Sequence, residues 1–264
     1  MQTWIAVIIL GIVEGITEFL PVSSTGHLLI AGYWLSPRSD LFNIVIQSGA
    51  VIAVLPLFPE RMRQFFFHWR ERDTQIYLLK IAVAFGITGV GGLILHSQGF
   101  ELPETLGPVA WALLIGGIAF IVVEKRLQGR PVSVSITWAV VLAVAVGQLI
   151  AAVFPGASRS GTTILFCLLL GVSRPAATEF SFLVGIPTML AAGGLKIFEA
   201  LVNPAVDAMP EDWGMVLLGF VVSAVVSFIA VGWLLRFIQT HTFIVFGWYR
   251  IAVAGVLGAL FIMQ

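Results

Sequence analysis

Two glutamates within an apolar segment are the first residues whose types and spacing could do chemistry. Glu14 and Glu18 are four residues apart, so a helix would place both carboxylates on one face. A charged side chain at bilayer depth is costly and usually functional. Two adjacent carboxylates need either a proton on one of them or a cation between them. The pair therefore predicts a proton-transfer or cation site, and the alternative is two glutamates that extend to an aqueous surface.

A hydroxyl-rich segment over 21–27, the first of two polar breaks in the apolar sequence, follows the glutamates. Pro21 precedes Ser23, Ser24 and Thr25, and His27 comes two residues later. Small hydroxyl residues ahead of a helix are typical N-caps, and the free N–H groups of a helix start bind anions. His27 is three residues from Ser24, close enough to act as its base if the segment curls. A helix cap with a structural histidine is the simpler alternative.

A second polar break, over 155–163, holds Arg159 inside an otherwise apolar stretch. The planar guanidinium suits phosphate or carboxylate oxygens. An ion pair to Glu14 or Glu18 without any ligand is the alternative, but it leaves the neighbouring hydroxyl groups unexplained. These hydroxyl groups belong to Ser158, Ser160, Thr162 and Thr163.

Taken together, these residues describe an anion site that also needs a cation. Carboxylates repel phosphate, and one arginine cannot neutralise a diphosphate. A divalent cation between Glu14, Glu18 and the phosphate oxygens resolves both problems, and oxygen ligands favour Mg²⁺ or Ca²⁺. Gln47 and Gln148 are expected to line the site as uncharged hydrogen-bonding groups.

Two further charged positions have weaker interpretations. Arg174 and Glu179 are expected to form a local ion pair near the start of a span. Arg250, six residues into the last apolar run, has no partner that the sequence identifies.

Composition sets the class of protein. The chain has 264 residues, 59% hydrophobic and only 11% charged, with 14 basic and 14 acidic residues, whereas an ordinary soluble domain carries roughly 25% charged residues. So few charges could not cover the surface of a soluble protein. This excludes a soluble enzyme and a disordered chain, and the zero net charge argues against a nucleic-acid binder. We predict an all-α polytopic membrane protein embedded in the lipid bilayer.

Six hydrophobic runs are long enough to cross a membrane. Two shorter runs, 27–35 and 161–171, each follow one of the polar breaks, so we predict that 2–35 and 133–171 are re-entrant helical hairpins. The fold is thus expected to have six transmembrane helices plus two such hairpins. The six runs are 41–58, 74–96, 108–123, 176–196, 214–235 and 244–262.

Loop charges predict the orientation. The loops at 59–73 and 124–132 are rich in Arg and Lys, which places them in the cytoplasm and both termini outside. The loops at 97–107 and 197–213 contain no Lys or Arg. Their acidic residues are Glu101, Glu104, Asp207, Glu211 and Asp212.

An internal similarity suggests two related halves of one membrane domain, 1–132 and 133–264. An offset of 134 residues aligns Pro21–Ser24 with Pro155–Ser158 and places Glu14 over Gln148. Each half has a hairpin and three spans. Because three is odd, the second half starts on the opposite side, which predicts an inverted-topology repeat with the two hairpins meeting near the midplane.

The two breaks resemble the motifs of a known family, the bacterial undecaprenyl-diphosphate phosphatases of the bacitracin-resistance type. The family has (E/Q)-x-x-x-E running into P-V-S-S-T-G-H, and later P-G-x-S-R-S-x-x-T. Here these are Glu14 to Glu18, Pro21 to His27, and Pro155 to Thr163. The resemblance covers the whole chain in length and span pattern.

The resemblance implies hydrolysis of undecaprenyl diphosphate to undecaprenyl phosphate and phosphate, which recycles the lipid carrier of cell-wall synthesis. It implies a divalent metal held by Glu14 and Glu18, Ser24 as nucleophile, and His27 as general base or acid. Arg159 would stabilise the transition state. A metal-activated water in place of Ser24 stays open. The residues expected to contact the substrate are Ser23, Thr25, Gln47, Gln148, Ser158, Ser160 and Thr163.

The family also implies a place in the cell, the bacterial inner membrane with the site open to the periplasm. The oligomeric state, monomer or homodimer, stays open. The alternative function is a transporter or flippase of a polyprenyl phosphate, because inverted repeats with broken helices are common among carriers.

Overall fold

In a computed structural model, residues 3–35, 38–98, 105–202 and 212–263 are described, and the regular structure in these ranges is helical. A 3-10 turn, Leu55–Leu57, continues the third helix. The helices are α1 (Thr3–Thr17), α2 (Ser24–Trp34), α3 (Asp40–Val54), α4 (Pro59–Phe67), α5 (Arg72–Ser97), α6 (Leu106–Leu127), α7 (Trp138–Val153), α8 (Arg159–Leu169), α9 (Arg174–Val202), α10 (Trp213–Phe237) and α11 (Ile244–Ile262).

Six of these elements are long and apolar enough to cross a membrane, which confirms the six predicted spans. The protein is therefore a multi-pass integral membrane protein. The short helix α4 was not predicted; it begins at Pro59, a residue suited to the first turn of a helix. The spans are Asp40–Leu57, Arg72–Leu95, Leu106–Leu127, Arg174–Glu199, Trp213–Phe237 and Ile244–Ile262. Four of the acidic loop residues used for orientation, Glu101, Glu104, Asp207 and Glu211, lie outside the described residues.

The two expected hairpins are pairs of short helices, α1 with α2 and α7 with α8. The helices have 15, 11, 16 and 11 residues, or at most about 24 Å at 1.5 Å per residue. Each is shorter than the roughly 30 Å of a bilayer core. The re-entrant path and the division into inverted halves remain predictions.

The two breaks end in the same local conformation. Ser23 and Ser158 both adopt left-handed backbone, with φ of 73° and 67°. Each caps the following helix, because its hydroxyl accepts a hydrogen bond from the N–H of Gly26 (3.4 Å) or Gly161 (3.2 Å). These matched caps are 135 residues apart, not 134, since one more residue separates Pro155 from its cap. The expected register is thereby corrected: Ser23 matches Ser158, and Ser24 matches Arg159.

Glycines allow neighbouring helices to approach closely, both at the short helix α1 and between two of the spans. α1 packs on α10, where a Cβ added at Gly15 would lie 2.7 Å from the Ser223 carbonyl oxygen. α6 packs on α11 in the same way, at Gly117 and Gly247. In lipid, where helices gain little from burying apolar surface, such close backbone contact provides the packing.

The expected Arg174–Glu179 ion pair is wrong. Five residues apart on α9, the two side chains point in different directions, because a helix turns about 100° per residue. Arg174 instead binds the buried Glu124 (Nη2 to Oε2, 2.6 Å), and Glu179 binds Arg61 (2.7 Å). Both pairs join the N-terminal to the C-terminal part of the chain.

Candidate active site

One carboxylate joins the two breaks. The hydroxyl of Ser24 donates to Oε2 of Glu18 at 2.7 Å, and Nη2 of Arg159 lies 3.3 Å from Oε1 of the same group. Ser24 and Arg159 are the first residues of α2 and α8 and occupy matching positions after the caps. The ion pair between Arg159 and Glu18 that the sequence offered as an alternative is therefore present, together with the hydroxyl group.

The second glutamate lies on the same face of the helix. The N–H of Glu18 donates to the carbonyl of Glu14 at 3.0 Å, which continues the helical turn beyond Thr17. Glu14 is 2% exposed and its carboxyl interacts directly with Glu18. Its Oε2 is buried without a hydrogen-bond partner in the described part of the chain.

A cavity of about 260 Å³ lies between the breaks. Glu18 and Arg159 form its charged wall, and a larger groove of about 820 Å³ adjoins it, since Ser24, Thr25 and Gln47 line both. Glu14 lines the groove. The residues of the smaller cavity that were expected at the site are Glu18, Ser23, Ser24, Thr25, Gln47, Gln148, Ser158 and Arg159.

Gln148 shows a second orphaned oxygen. Its amide nitrogen donates to Oγ1 of Thr88 at 3.0 Å, and that hydroxyl donates to the Ala84 carbonyl at 2.9 Å. The amide oxygen is left buried without a partner among the described residues. Nη1 of Arg159 is similarly buried and unpaired there. Unsatisfied buried groups are costly, so these two oxygens and one donor are notable polar atoms around the breaks that no described residue satisfies.

Two expected substrate contacts do not line either cavity. Ser160 and Thr163 are fully buried. The Ser160 hydroxyl donates to the Leu20 carbonyl at 3.1 Å, which ties the second break to the first. The Thr163 hydroxyl donates to the Arg159 carbonyl at 2.8 Å, within its own helix. Their hydroxyl groups are therefore engaged in holding backbone.

The expected pair of Ser24 with His27 is not formed. Within the described residues, the ring nitrogens of His27 bond the Ser23 carbonyl (2.7 Å) and the hydroxyl of Tyr249 (2.8 Å). Because α2 is helical from Ser24, His27 projects toward α11, and it does not line the two cavities. The group that contacts the Ser24 hydroxyl and could accept its proton is the carboxylate of Glu18.

Arg250 is a central residue that the sequence left without a role. It is fully buried, and its guanidinium donates to carbonyl groups of both breaks and of α6. Its charge in a span was a signal of function, but the acceptors are backbone atoms, which no side-chain pattern reveals. The acceptors are the carbonyl groups of Pro21, Ala112, Leu113, Gly156 and Ala157, at 3.0 to 3.4 Å.

Gly185, on α9, provides the space for the other buried guanidinium. A Cβ added there would overlap Nη1 of Arg159 and come within 2.8 Å of its Cζ. Phe19 packs beneath the same group, 5.6 Å from Cζ to the ring centroid. No pattern in the sequence marks this glycine as part of the site.

Replacing Gly185 with alanine should lower the catalytic rate of the site by about a hundredfold, since a displacement of about 1 Å in a catalytic group has effects of this size. The clash involves the far end of a long side chain and no backbone atom, so the thermal unfolding midpoint should change little. The matched control is Gly89→Ala, a helical glycine with nothing within 4 Å of an added Cβ. Full activity of Gly185→Ala would contradict this role.

Two carboxylates of the site are candidates to hold a divalent cation. No group of three or more His, Cys, Asp or Glu residues suited to a metal occurs in the described ranges. Glu14 and Glu18 would supply two carboxylates, and Oε2 of Glu14 has no hydrogen-bond partner in the described ranges. Mg²⁺ typically takes one or two carboxylates and completes its shell with water and substrate phosphates.

The fold and site define an integral membrane protein in which two polar breaks bring together a carboxylate, a guanidinium and a serine hydroxyl. Residues 7–256 match the family model described as Bacitracin resistance protein BacA. A relative named undecaprenyl-diphosphatase from Rhizobium etli strain CFN 42 is 52% identical over 250 residues, 94% of this chain and 93% of that protein. One of the same name from Xanthomonas oryzae pv. oryzae strain PXO99A is 48% identical over 258 residues, 97% of both chains. The chain belongs to the BacA family.

Proposed function

We propose that the protein hydrolyses undecaprenyl diphosphate to undecaprenyl phosphate and inorganic phosphate, and so confers bacitracin resistance by recycling the lipid carrier. Membership of the BacA family and the similarity to relatives named undecaprenyl-diphosphatase support this proposal. The junction of Ser24, Glu18 and Arg159 supplies what phosphoryl transfer needs, namely a nucleophile, a base and a fixed positive charge.

Ser24 is the proposed nucleophile. Its Oγ forms a bond to the terminal phosphorus while its proton passes to Glu18, which lies 2.7 Å away. The bond from that phosphorus to the bridging oxygen breaks, and the electron pair leaves with undecaprenyl phosphate. Water then attacks the phosphoserine, releasing phosphate and restoring the hydroxyl group.

Arg159, which lines the smaller cavity, would bind the transferring phosphoryl group through its guanidinium. The amino termini of α2 and α8 add partial positive charge at the same place. A divalent cation, Mg²⁺ or Ca²⁺, held by Glu14 and Glu18 would neutralise phosphate charge when bound. Ser23, Ser158, Thr25, Gln47 and Gln148 would complete the polar walls.

We propose an outward-facing site in the bacterial inner membrane. Asp40, Leu106 and Lys196 line the larger groove, and all three lie at helix ends opposite the basic loops. Because the positive-inside rule places the basic loops in the cytoplasm, this groove would open to the periplasm. Its apolar wall, which includes Leu10, Leu28, Leu29 and Ile44, would take the start of the polyprenyl chain.

Phosphate release tests the proposal against the alternative of a carrier. Purified protein given undecaprenyl diphosphate and Mg²⁺ or Ca²⁺ should release inorganic phosphate with multiple turnovers. A transporter or flippase would move a lipid phosphate across vesicles and release none. Absence of release from folded protein would reject the enzyme.

The metal dependence has its own expected result. EDTA should abolish release, and Glu14→Gln should raise the cation concentration for half-maximal activity by at least about tenfold, since the loss of metal-supporting groups has effects of about 10–100-fold. The Glu60→Gln control, at the exposed start of α4, should leave that concentration unchanged. Equal metal curves for Glu14→Gln and wild type would contradict metal binding at Glu14.

A further inference from the structure

Both ring nitrogens of His27 are engaged away from the proposed nucleophile. Nδ1 is 2.7 Å from the carbonyl oxygen of Ser23, and Nε2 is 2.8 Å from the hydroxyl of Tyr249. A carbonyl oxygen only accepts, so Nδ1 carries the proton and donates. Nε2 of the neutral ring then accepts from Tyr249, whose ring stacks on the imidazole at 5.5 Å. Neither nitrogen is placed to take the proton of Ser24.

The carbonyl that His27 holds belongs to a strained residue. Ser23 has φ of 73°, a left-handed conformation that costs energy in a residue with a Cβ. Ser24 follows directly, so the orientation of the Ser23 peptide unit determines where the Ser24 hydroxyl lies relative to Glu18. A donor that fixes the Ser23 carbonyl therefore acts on the nucleophile indirectly.

The second break has the same arrangement with a different side chain. Thr162 is 135 residues after His27, the offset that relates the two caps. Its hydroxyl faces three carbonyl oxygens, those of Gly147 at 2.9 Å, Ser158 at 3.0 Å and Arg159 at 3.1 Å, and Ser158 has φ of 67°. Ser158 directly precedes Arg159. A threonine hydroxyl does not serve as a general base at neutral pH. What it shares with His27 is a polar contact to the carbonyl of the left-handed serine four residues earlier.

We infer that His27 is a positioning residue, which holds the Ser23 carbonyl and thereby places Ser24 against Glu18, with Tyr249 fixing the ring. This inference rests on the proposed function for its kinetic test. It replaces the role of general base or acid that the family resemblance implied, and it adds Tyr249, a residue of α11, to the site.

Two amide substitutions separate the roles. The side-chain nitrogen of asparagine can reproduce the Nδ1 donor, whereas glutamine reaches the position of Nε2. We expect His27→Asn to keep kcat within about threefold of wild type. We expect His27→Gln and His27→Ala to lower kcat by at least about tenfold, which corresponds to a rise of about 1.4 kcal/mol in the activation free energy when Ser24 is misplaced. The KM for the lipid should change little, because His27 does not line the cavities. His27→Asn as inactive as His27→Ala would overturn the inference, because asparagine is no base.

A measurement independent of turnover accompanies the kinetics. NMR of protein with ¹⁵N-labelled histidine rings identifies the His27 signals, because they are the ones that disappear in His27→Asn. In wild type these signals should show a protonated Nδ1 and an unprotonated Nε2. A protonated Nε2 would overturn the inference, even if wild type releases no phosphate and the proposed function fails. His241→Asn, whose ring packs on Phe237, is the matched control, and gel filtration of each variant establishes that it is folded.

Discussion

Glu18→Gln should reduce kcat for phosphate release by about a thousandfold or more, the combined effect expected from losing a general base and a fixed negative charge. Glu18 accepts from Ser24 through one oxygen and binds Arg159 through the other. Glutamine retains the size but cannot take the proton. Its amide group would also place a donor against the guanidinium or the hydroxyl.

The matched control is Glu179→Gln. Glu179 also pairs with an arginine, Arg61 at 2.7 Å, but lies outside both cavities. It should retain activity within about threefold, because partly exposed ion pairs contribute about 1 kcal/mol or less. Comparable activity of Glu18→Gln and wild type would remove Glu18 from the mechanism and leave the two breaks without a base.

Arg250→Met should destabilise the folded protein by about 3 kcal/mol or more, since each buried acceptor left unpaired costs about 1–3 kcal/mol. The guanidinium donates to five carbonyl groups, three of them in the breaks, at Pro21, Gly156 and Ala157. Methionine keeps much of the volume and none of the donors. Phosphate release should fall with it, because the breaks carry Ser24 and Arg159.

Arg250→Lys should not restore the stability of the folded protein, because one ammonium has three donors and lacks the planar fork that reaches several carbonyl groups. Thermal unfolding in detergent, followed by gel filtration, measures the effect. Arg236→Met, at the exposed end of α10, is the control and should leave the midpoint unchanged. A midpoint for Arg250→Met equal to wild type would show that water or other groups replace these contacts.

The sequence alone determined the membrane class, the six spans and the two polar breaks. Apolar runs and charge are local properties of the chain, so composition and length predicted them, and the structure confirms the six spans. The family resemblance, carried by the motifs around Glu18 and Arg159, is confirmed by the family match over 7–256.

Tertiary structure decided what each polar residue contacts. The partners of Arg250 are backbone carbonyl groups of three segments, and the space for Arg159 comes from Gly185; neither leaves a pattern in the sequence. His27 and Ser24 are neighbours along the chain, yet the helix that begins at Ser24 directs His27 to Tyr249. Side-chain direction follows from backbone geometry and from packing between distant segments, so spacing alone could propose the pair but not form it.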